Sequence, residues 1–375
     1  MGTITQTIAN NLTTGLGADV SGINFRNIII NGDMSIAQRG TSEASVGNSF
    51  TYFTVDRFKL GGAGSSSARF TMSQDTDVPN GQGFATSLKM DCTTADASLG
   101  SSDALRISQF IEGQNLQYLK KGTANAESTT LSFWVKSNKT GTYISELRDV
   151  DNSRAISKSY TIDVADTWEK KTLTFAGDTS GAFDNDNSTS LRLSNWLYAG
   201  TDYTSGTLQT SWGTLTATDR AVGQVNFADS TDNNIWITGV QLEAGTSASD
   251  FEFLPHDVNL RRCERYYSSS FEIGVTPALD VTKMNYRLTR PYDGANHSGF
   301  GTTYPTTMRT SPSVTLYTTN PSAGSTGQVT VYDGSWSAVG AAVDASSTQN
   351  HFAISSALGA SVVLVQFNYT ADAEL

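Results

Sequence analysis

From Ile23 to Pro255, apolar and polar residues alternate in short runs separated by turn-forming clusters. Leu131, Phe133 and Val135 share one face of Thr130–Lys136, Leu105 and Ile107 one face of Ala104–Gln109, and Leu173 and Phe175 one face of Thr172–Phe175. A period of two sends successive side chains to opposite faces, so each run predicts a half-buried strand. Ile235 to Leu242 is apolar at both parities, the pattern of a central strand covered on both sides. Trp134 and Trp236, on two of these strands, are therefore expected in packing positions. Gly61-Gly62-Ala63-Gly64, Pro79-Asn80-Gly81, Asp151-Asn152 and Asp184-Asn185-Asp186-Asn187 punctuate the runs. Many short strands with such turns predict an antiparallel β-sandwich or jelly roll.

The period changes once. In Val258–Tyr267, Leu260, Cys263 and Tyr267 fall at i, i+3 and i+7, one helical face. Asp257 is placed to cap that helix and to pair with Arg261 one turn on. The apolar face would lie either on its own sandwich or against other copies of the chain. Alternation returns in Pro312–Tyr317, Gln328–Tyr332 and Ser361–Tyr369, enough for a second small β-sandwich. The last strand runs close to the final residue, so that end is expected to be tied down. Residues 1–22 show no period, and read either as a mobile terminus or as an arm that orders in an assembly. The predicted organisation is all-β with one helix: an arm over 1–22, a jelly roll over 23–255, a helical connector over 256–270 and a C-terminal β-sandwich over 271–375.

Composition narrows the partners. The 375 residues are only 38% hydrophobic and 16% charged, the remainder being rich in Gly, Ser, Thr, Asn and Asp, which suit strands and tight turns. A net charge of −11 repels nucleic-acid phosphate and anionic lipid, so no nucleic acid is expected as partner. No apolar run approaches the roughly 18 residues of a membrane span, so no membrane insertion is expected. The first residues lack a signal-peptide pattern, and synthesis in a cytoplasm without Sec-type export is expected. Cys92 and Cys263 have no metal-binding spacing and are expected to be reduced and structural.

The motifs of common enzyme chemistry are missing. There is no Walker loop, no dinucleotide fingerprint, no HExxH and no GxSxG, and His256, His297 and His351 are scattered. No cofactor and no metal are expected. Asp178, Asp184, Asp186 and Asn187 could offer oxygen ligands to calcium, but Thr189 stands where the EF-hand pattern needs Gly, and a solvated acidic loop is the preferred reading. Glycan hydrolysis needs only two carboxylates across a groove, and 36 acidic residues leave that open. Glycan binding needs flat aromatic faces beside polar side chains. Two stretches offer them: Trp196, Tyr198, Asp202 and Tyr203 followed by Trp212, and Tyr292, Asp293 and Tyr304 with Tyr286, Arg287, Arg290 and His297 nearby. In both, the competing reading is that the rings pack loops or subunits.

Several segments carry a resemblance. They are Asn27–Gly40, Tyr52–Phe58, Leu131–Ser137, Trp168–Lys171, Phe175–Gly181, and Ile237–Gly245 running through Phe251-Glu252 into Cys263–Tyr267. In this order and spacing they resemble tail-fibre and other virion-surface proteins of marine and related bacteriophages, as does Thr307–Val314. The resemblance implies a jelly roll like a carbohydrate-binding module, a helical connector, a terminal β-domain and a virion component that is a homotrimer. The function expected from it is that of a non-enzymatic tail fibre attaching to a host-surface glycan, with the N-terminal arm docked to other virion proteins. A capsid-decoration or collar protein without a ligand, and a glycan-degrading enzyme, are the alternatives. The shared positions also read as fold-determining, with Arg39-Gly40 and Asp56-Arg57 in a buried pair and Gly177-Asp178 in a tight turn.

Overall fold

The computed structural model describes residues 25–279, 286–289, 300–319, 325–332, 335–343, 347–355 and 364–375, so the expected arm over 1–22 lies outside the described residues. The strands before Pro255 are β1 (Ser42–Val46), β2 (Phe50–Tyr52), β3 (Lys59–Ala63), β4 (Arg69–Asp75), β5 (Ser87–Thr94), β6 (Ala104–Glu112), β7 (Thr129–Ser137), β8 (Gly141–Asp149), β9 (Arg154–Ile162), β10 (Glu169–Phe175), β11 (Thr189–Ala199), β12 (Gly213–Thr214) and β13 (Asn234–Ala244), with a single helical turn α1 (Thr201–Thr204) after β11. The alternating runs lie in β6, β7 and β10 and the run apolar at both parities in β13, whereas Gly61-Gly62-Ala63, expected in a turn, belongs to β3. They build two antiparallel sheets in the orders β1-β4-β5-β13-β7-β10 and β12-β9-β8-β11-β6-β3-β2. Between them Leu131, Phe133, Val135, Ile235 and Ile237 pack against Leu105, Ile107, Leu191 and Leu193, each no more than 2% exposed. Full burial of such a side chain contributes about 1.5–3 kcal/mol, so the alternation seen in sequence is what closes the jelly-roll sandwich.

The central strand β13 corrects one expectation. Trp236, with Trp134 on the neighbouring β7, is half-buried on the outer face of the six-stranded sheet. β5 pairs with β13 only over Asn234–Ile237, and beyond that residues 27–34 run beside β13 in its place. There the Ile28 amide donates to the Leu242 carbonyl and the Val240 amide to that of Gly32, at 2.8 and 2.9 Å. Asn27 completes the seam: its Oδ1 accepts from the Leu242 and Ile29 amides, and its Nδ2 donates to the Val240 carbonyl. The register of β13 against β7 shifts between Thr238 and Gln241, and Gly239 takes φ +63° at this bulge. Two of the segments that carried the resemblance thus meet each other.

The connector differs from expectation at both ends. Helix α2 (His256–Glu264) has Pro255 as its N-cap, and Asp257 lies inside the first turn without a capping hydrogen bond. A carboxylate there still faces the positive helix end. The helix stops at Glu264 rather than at the expected Tyr267, because β14 (Tyr267–Ser269) pairs with the last strand. Its Cys263 and Leu260 pack with Ile30, Ile36, Tyr266 and Leu375, so the apolar face lies on its own chain.

The C-terminal strands are β15 (Tyr286–Thr289), β16 (Phe300–Thr303), β17 (Ser313–Tyr317), β18 (Gln328–Tyr332), β19 (Trp336–Gly340), β20 (Ala342–Val343), β21 (His351–Ser355) and β22 (Leu364–Asp372). β22 is the organiser, pairing with β14, β15, β17 and β18, while β16, β21 and β20 form a three-stranded sheet. Met308, Leu316, Val329, Val331, Phe352, Val365 and Phe367 fill the core.

Charged residues tie this unit to the jelly roll. Arg39 lies 3.6 Å from Asp56 and stacks over Tyr267, 3.6 Å from the ring centre, as expected for a buried pair at these positions. Arg57 lies over Tyr266 and pairs with Glu374. Arg265 grips Glu112 through Nε at 2.8 Å and Nη2 at 2.7 Å, and the Tyr266 hydroxyl donates to the same carboxylate. Burial pushes Glu112 up, yet the hydrogen bonds from Arg265 and Tyr266 prevail and hold it below its ordinary value. The chain end is tied down as expected, with the Tyr52 hydroxyl and Lys59 Nζ donating to the Leu375 carbonyl at 3.2 and 2.9 Å.

Candidate functional site

The aromatic residues singled out in the sequence do not form one surface. Trp196 and Tyr198 are both 0% exposed. A register shift between them on β11 turns Trp196 to the outer face and Tyr198 into the core. The loop after β11 then covers Trp196: Ala221 packs on it, the Tyr203 ring lies 5.4 Å away, and the Arg220 guanidinium sits 5.0 Å above it. Tyr198 stacks with Phe70. Neither ring offers a face to a ligand, so both are corrected to packing residues. Tyr203 is half-buried on Trp196, and Asp202 is exposed in the first turn of α1. Trp212 is half-buried and pins its loop by donating to the Ala176 carbonyl at 2.8 Å. Tyr304 is likewise corrected: it is 6% exposed and stacks on Phe352 in the C-terminal core. Tyr292 and Asp293, with Arg290 and His297, lie outside the described residues.

In the acidic loop Asp184 is exposed, while the other three residues are engaged. Asp178 accepts from Arg154 Nε at 2.7 Å and lies 3.1 Å from Lys121. Asp186 accepts from the Ser188 amide, and Asn187 donates to the Arg309 carbonyl. Among the described residues no three His, Cys, Asp or Glu side chains gather around a metal-sized space. Cys92 and Cys263 are free and buried.

A cleft of about 520 Å³ opens where β6 ends against α2. This volume falls within the range of small-ligand sites, about 300–1,000 Å³. Its apolar lining is Ile28 and Ile30 from the segment before β1 with Phe110 and Ile111 from the end of β6. Its rim carries Phe25, 54% exposed, and Tyr118, 40% exposed. Between them stand Gln114 and Asn115 in the exposed turn after β6, and Arg262 and Arg265 on the helix side. Arg262 Nη2 donates to the Asn27 carbonyl at 3.3 Å, and Arg265 is held by Glu112. Gln109 in the lining exchanges two hydrogen bonds with the Ile30 backbone, at 2.7 and 2.9 Å. The donors are therefore fixed before any ligand arrives. Flat rings beside amide and guanidinium donors can take an amphipathic, hydroxyl-rich molecule, with C–H faces on the rings and hydroxyls on the donors. Among the described residues that line it, none is a carboxylate.

The sequence reading missed Phe25 and Tyr118. Tyr118 sits in a 3₁₀ turn, Gln117–Leu119, with no period to flag it. A second aromatic surface includes Trp236, for which packing is expected. Trp236 on β13 is flanked in register by Lys89 and Lys136, and Trp168 follows just before β10. The Lys136 ammonium lies 4.1 Å from the Trp236 ring centre, while the Trp168 and Trp236 indole N–H groups donate to Asp77 and Asp75. The lysines occupy the ring faces, which makes this a self-satisfied ladder and a weaker ligand platform than the cleft.

No sequence-family model matches the chain, and neither does any curated protein sequence. Among solved structures, the enzymatically active domain of bacteriophage CBA120 tailspike protein 4 matches with 16% identity and a TM-score of 0.31, over 58% of this chain and 21% of that one. A CBM4 structure matches with 13% identity and a TM-score of 0.29, over 57% and 97% of the two chains. A family 11 carbohydrate-binding module from Clostridium thermocellum, in complex with a mixed-linked tetrasaccharide, matches with 9% identity and a TM-score of 0.28, over 56% and 99%. At these identities and scores nothing about a ligand follows for this chain.

Proposed function

We propose that the chain is a non-enzymatic virion-surface protein of the tail-fibre type, whose jelly roll binds a host-surface glycan in the cleft between β6 and α2. The observation that carries this reading is the cleft itself, with two exposed aromatic rings facing pre-positioned amide and guanidinium groups beside an apolar lining. The described lining offers rings and amide and guanidinium donors, the groups that binding needs, whereas hydrolysis needs two carboxylates. The resemblance of residues 27–267 to phage virion-surface proteins supports the particle assignment and a homotrimer, in which three weak sites would gain from avidity.

The test is binding of the purified protein to host cells before and after enzymatic removal of surface polysaccharide, with released sugar assayed alongside. Saturable binding that disappears on stripping, without sugar release, is the expected result. Tyr118→Ala should weaken it by about tenfold, the weight of one stacking ring at 1–1.5 kcal/mol, with the melting temperature unchanged because the ring is exposed. Sugar release, or binding that survives stripping, would reject the reading.

A further inference from the structure

The outer face of the seven-stranded sheet holds an unbalanced set of charges. On β6 and β11 Arg106 stands opposite Trp196 and Ser108 opposite Ser194; on β11 and β8 Arg192 stands opposite Arg148 and Ser194 opposite Glu146. Residues of the same parity in paired strands project from one face, so Arg106, Arg148, Arg192 and Glu146 share it. Arg220 joins them from the loop over Trp196. Glu146 is 0% exposed and fully engaged: Arg220 donates through Nε at 2.7 Å and Nη2 at 2.8 Å, and Arg192 Nη2 approaches to 3.3 Å.

Among the described residues no carboxylate pairs with Arg106 or Arg148, and Arg192 shares Glu146 with Arg220. Arg106 is 9% exposed and Arg192 5%, and the Nε atoms of Arg106, Arg148 and Arg192 are buried without a hydrogen-bond partner among the described residues. Glu146 is the one carboxylate acting on Arg148, against repulsion from Arg220. Four guanidinium groups against one carboxylate leave a charge of +3. Burial, then the neighbouring guanidinium of Arg220, pushes Arg106 down to about 10. A buried charge is normally paired, because leaving it unpaired is costly. Arginine gives up its proton less readily than any other side chain, so a counter-ion is the remaining remedy. The floor between Arg106 and Arg192 is polar, with the Ser108 and Ser194 hydroxyls 2.9 Å apart, and the half-buried Arg148 opens the set to solvent.

We propose that this face is an oxyanion-binding site in which Arg106 and Arg192, with Arg148 beside them, take a carboxylate or sulfate group borne by an acidic glycan. The glycan as carrier rests on the function proposed above; the oxyanion does not. Planar guanidinium groups match both anions through paired N–H donors. This site lies on the outer face of the sheet, whereas the cleft lies at the end of β6 against α2.

The test starts with inorganic sulfate and the full chain, read by calorimetry and by thermal melting at low ionic strength. Saturable sulfate binding is expected. R106Q should weaken it at least about tenfold, as loss of a charge-assisted hydrogen bond implies, and R148Q by a smaller factor. Without ligand, R106Q should melt close to the parent, since relief of repulsion offsets the lost contact of Arg106 with the Trp196 ring at 5.1 Å and no hydrogen bond among the described residues is broken. Absent sulfate binding, equal binding by R106Q, or a clearly lower melting temperature of ligand-free R106Q would overturn the site. The second arm compares an oligoglucuronate with its carboxyl-reduced form. Preference for the acid, lost in R106Q, supports the acidic glycan; equal binding of both overturns that carrier. Tyr118→Ala should leave sulfate binding intact, which separates failure of this site from failure of the cleft.

Discussion

Glu146 and Trp196 show how far a residue's meaning depends on what surrounds it. In sequence Glu146 is one of many acids; in the fold it is the buried acceptor of Arg220 and Arg192. Burial pushes its carboxyl up, but Arg220 and Arg192 prevail and bring it from an ordinary 4.5 down to about 2. A lowered folded-state value means that its contribution is complete above pH 4.5 and is lost as pH falls toward 2. Acid unfolding followed by circular dichroism should show that loss, and Glu146→Gln should flatten the profile in the same window while costing about 3–5 kcal/mol at neutral pH. Trp196, the most suggestive ligand residue in the sequence, is enclosed by Ala104, Ile144 and Ala221. Trp196→Ala should therefore destabilise by about 3–5 kcal/mol in denaturant titration. An unchanged midpoint with lost glycan binding would return it to the ligand site.

At the scale of elements, the seam between residues 27–34 and β13 decides the jelly roll's closure. A Cβ on Gly32 would sit 2.1 Å from the Val240 carbonyl oxygen, which leaves no room for any other residue. Gly32→Ala must push the segment off β13 and strand the hydrogen bonds of Asn27. A loss of about 2–4 kcal/mol is expected, the sum of overpacking and one or two unsatisfied buried groups, measurable as a lower denaturation midpoint. Hydrogen exchange of the Val240 and Leu242 amides, which donate to Gly32 and Asn27, should accelerate in the variant before that of β7.

At the scale of the whole molecule, the jelly roll and the C-terminal unit are joined by polar contacts more than by a shared apolar core. Glu112 stands at the centre, receiving Arg265, Tyr266 and Gln114. Glu112→Gln leaves the Arg265 charge without its partner. Calorimetry should then resolve two transitions where the parent shows one, with the C-terminal unit melting first. A single transition at the parental temperature would mean that Arg39, Asp56 and Glu374 suffice. This junction also forms the wall of the cleft, since Arg265 and Tyr266 line it, so loosening it should weaken glycan binding as well.

The sequence by itself determined the sandwich class, the strands that hold the named alternating runs and the presence of a helix after Pro255. Alternation at Leu131, Phe133, Val135, Leu105 and Ile107 is a local property, and one buried face per strand is enough to impose it. The resemblance singled out Asn27–Gly40 and Ile237–Gly245, without saying that they touch. Which outer face stays open was decided only in three dimensions. Trp196 and Trp236 carry the same local pattern, yet a loop returning from residues 200–221 buries the first, and nothing among the described residues covers the second fully. The cleft and the arginine face were illegible for the same reason. Tyr118 and Arg262 are 144 residues apart, and the charge imbalance around Glu146 exists only once three strands and a loop bring its arginines together. Periodicity reports how a residue relates to its own strand, whereas a site is a relation between strands, set by register, bulges and the loops that return over them.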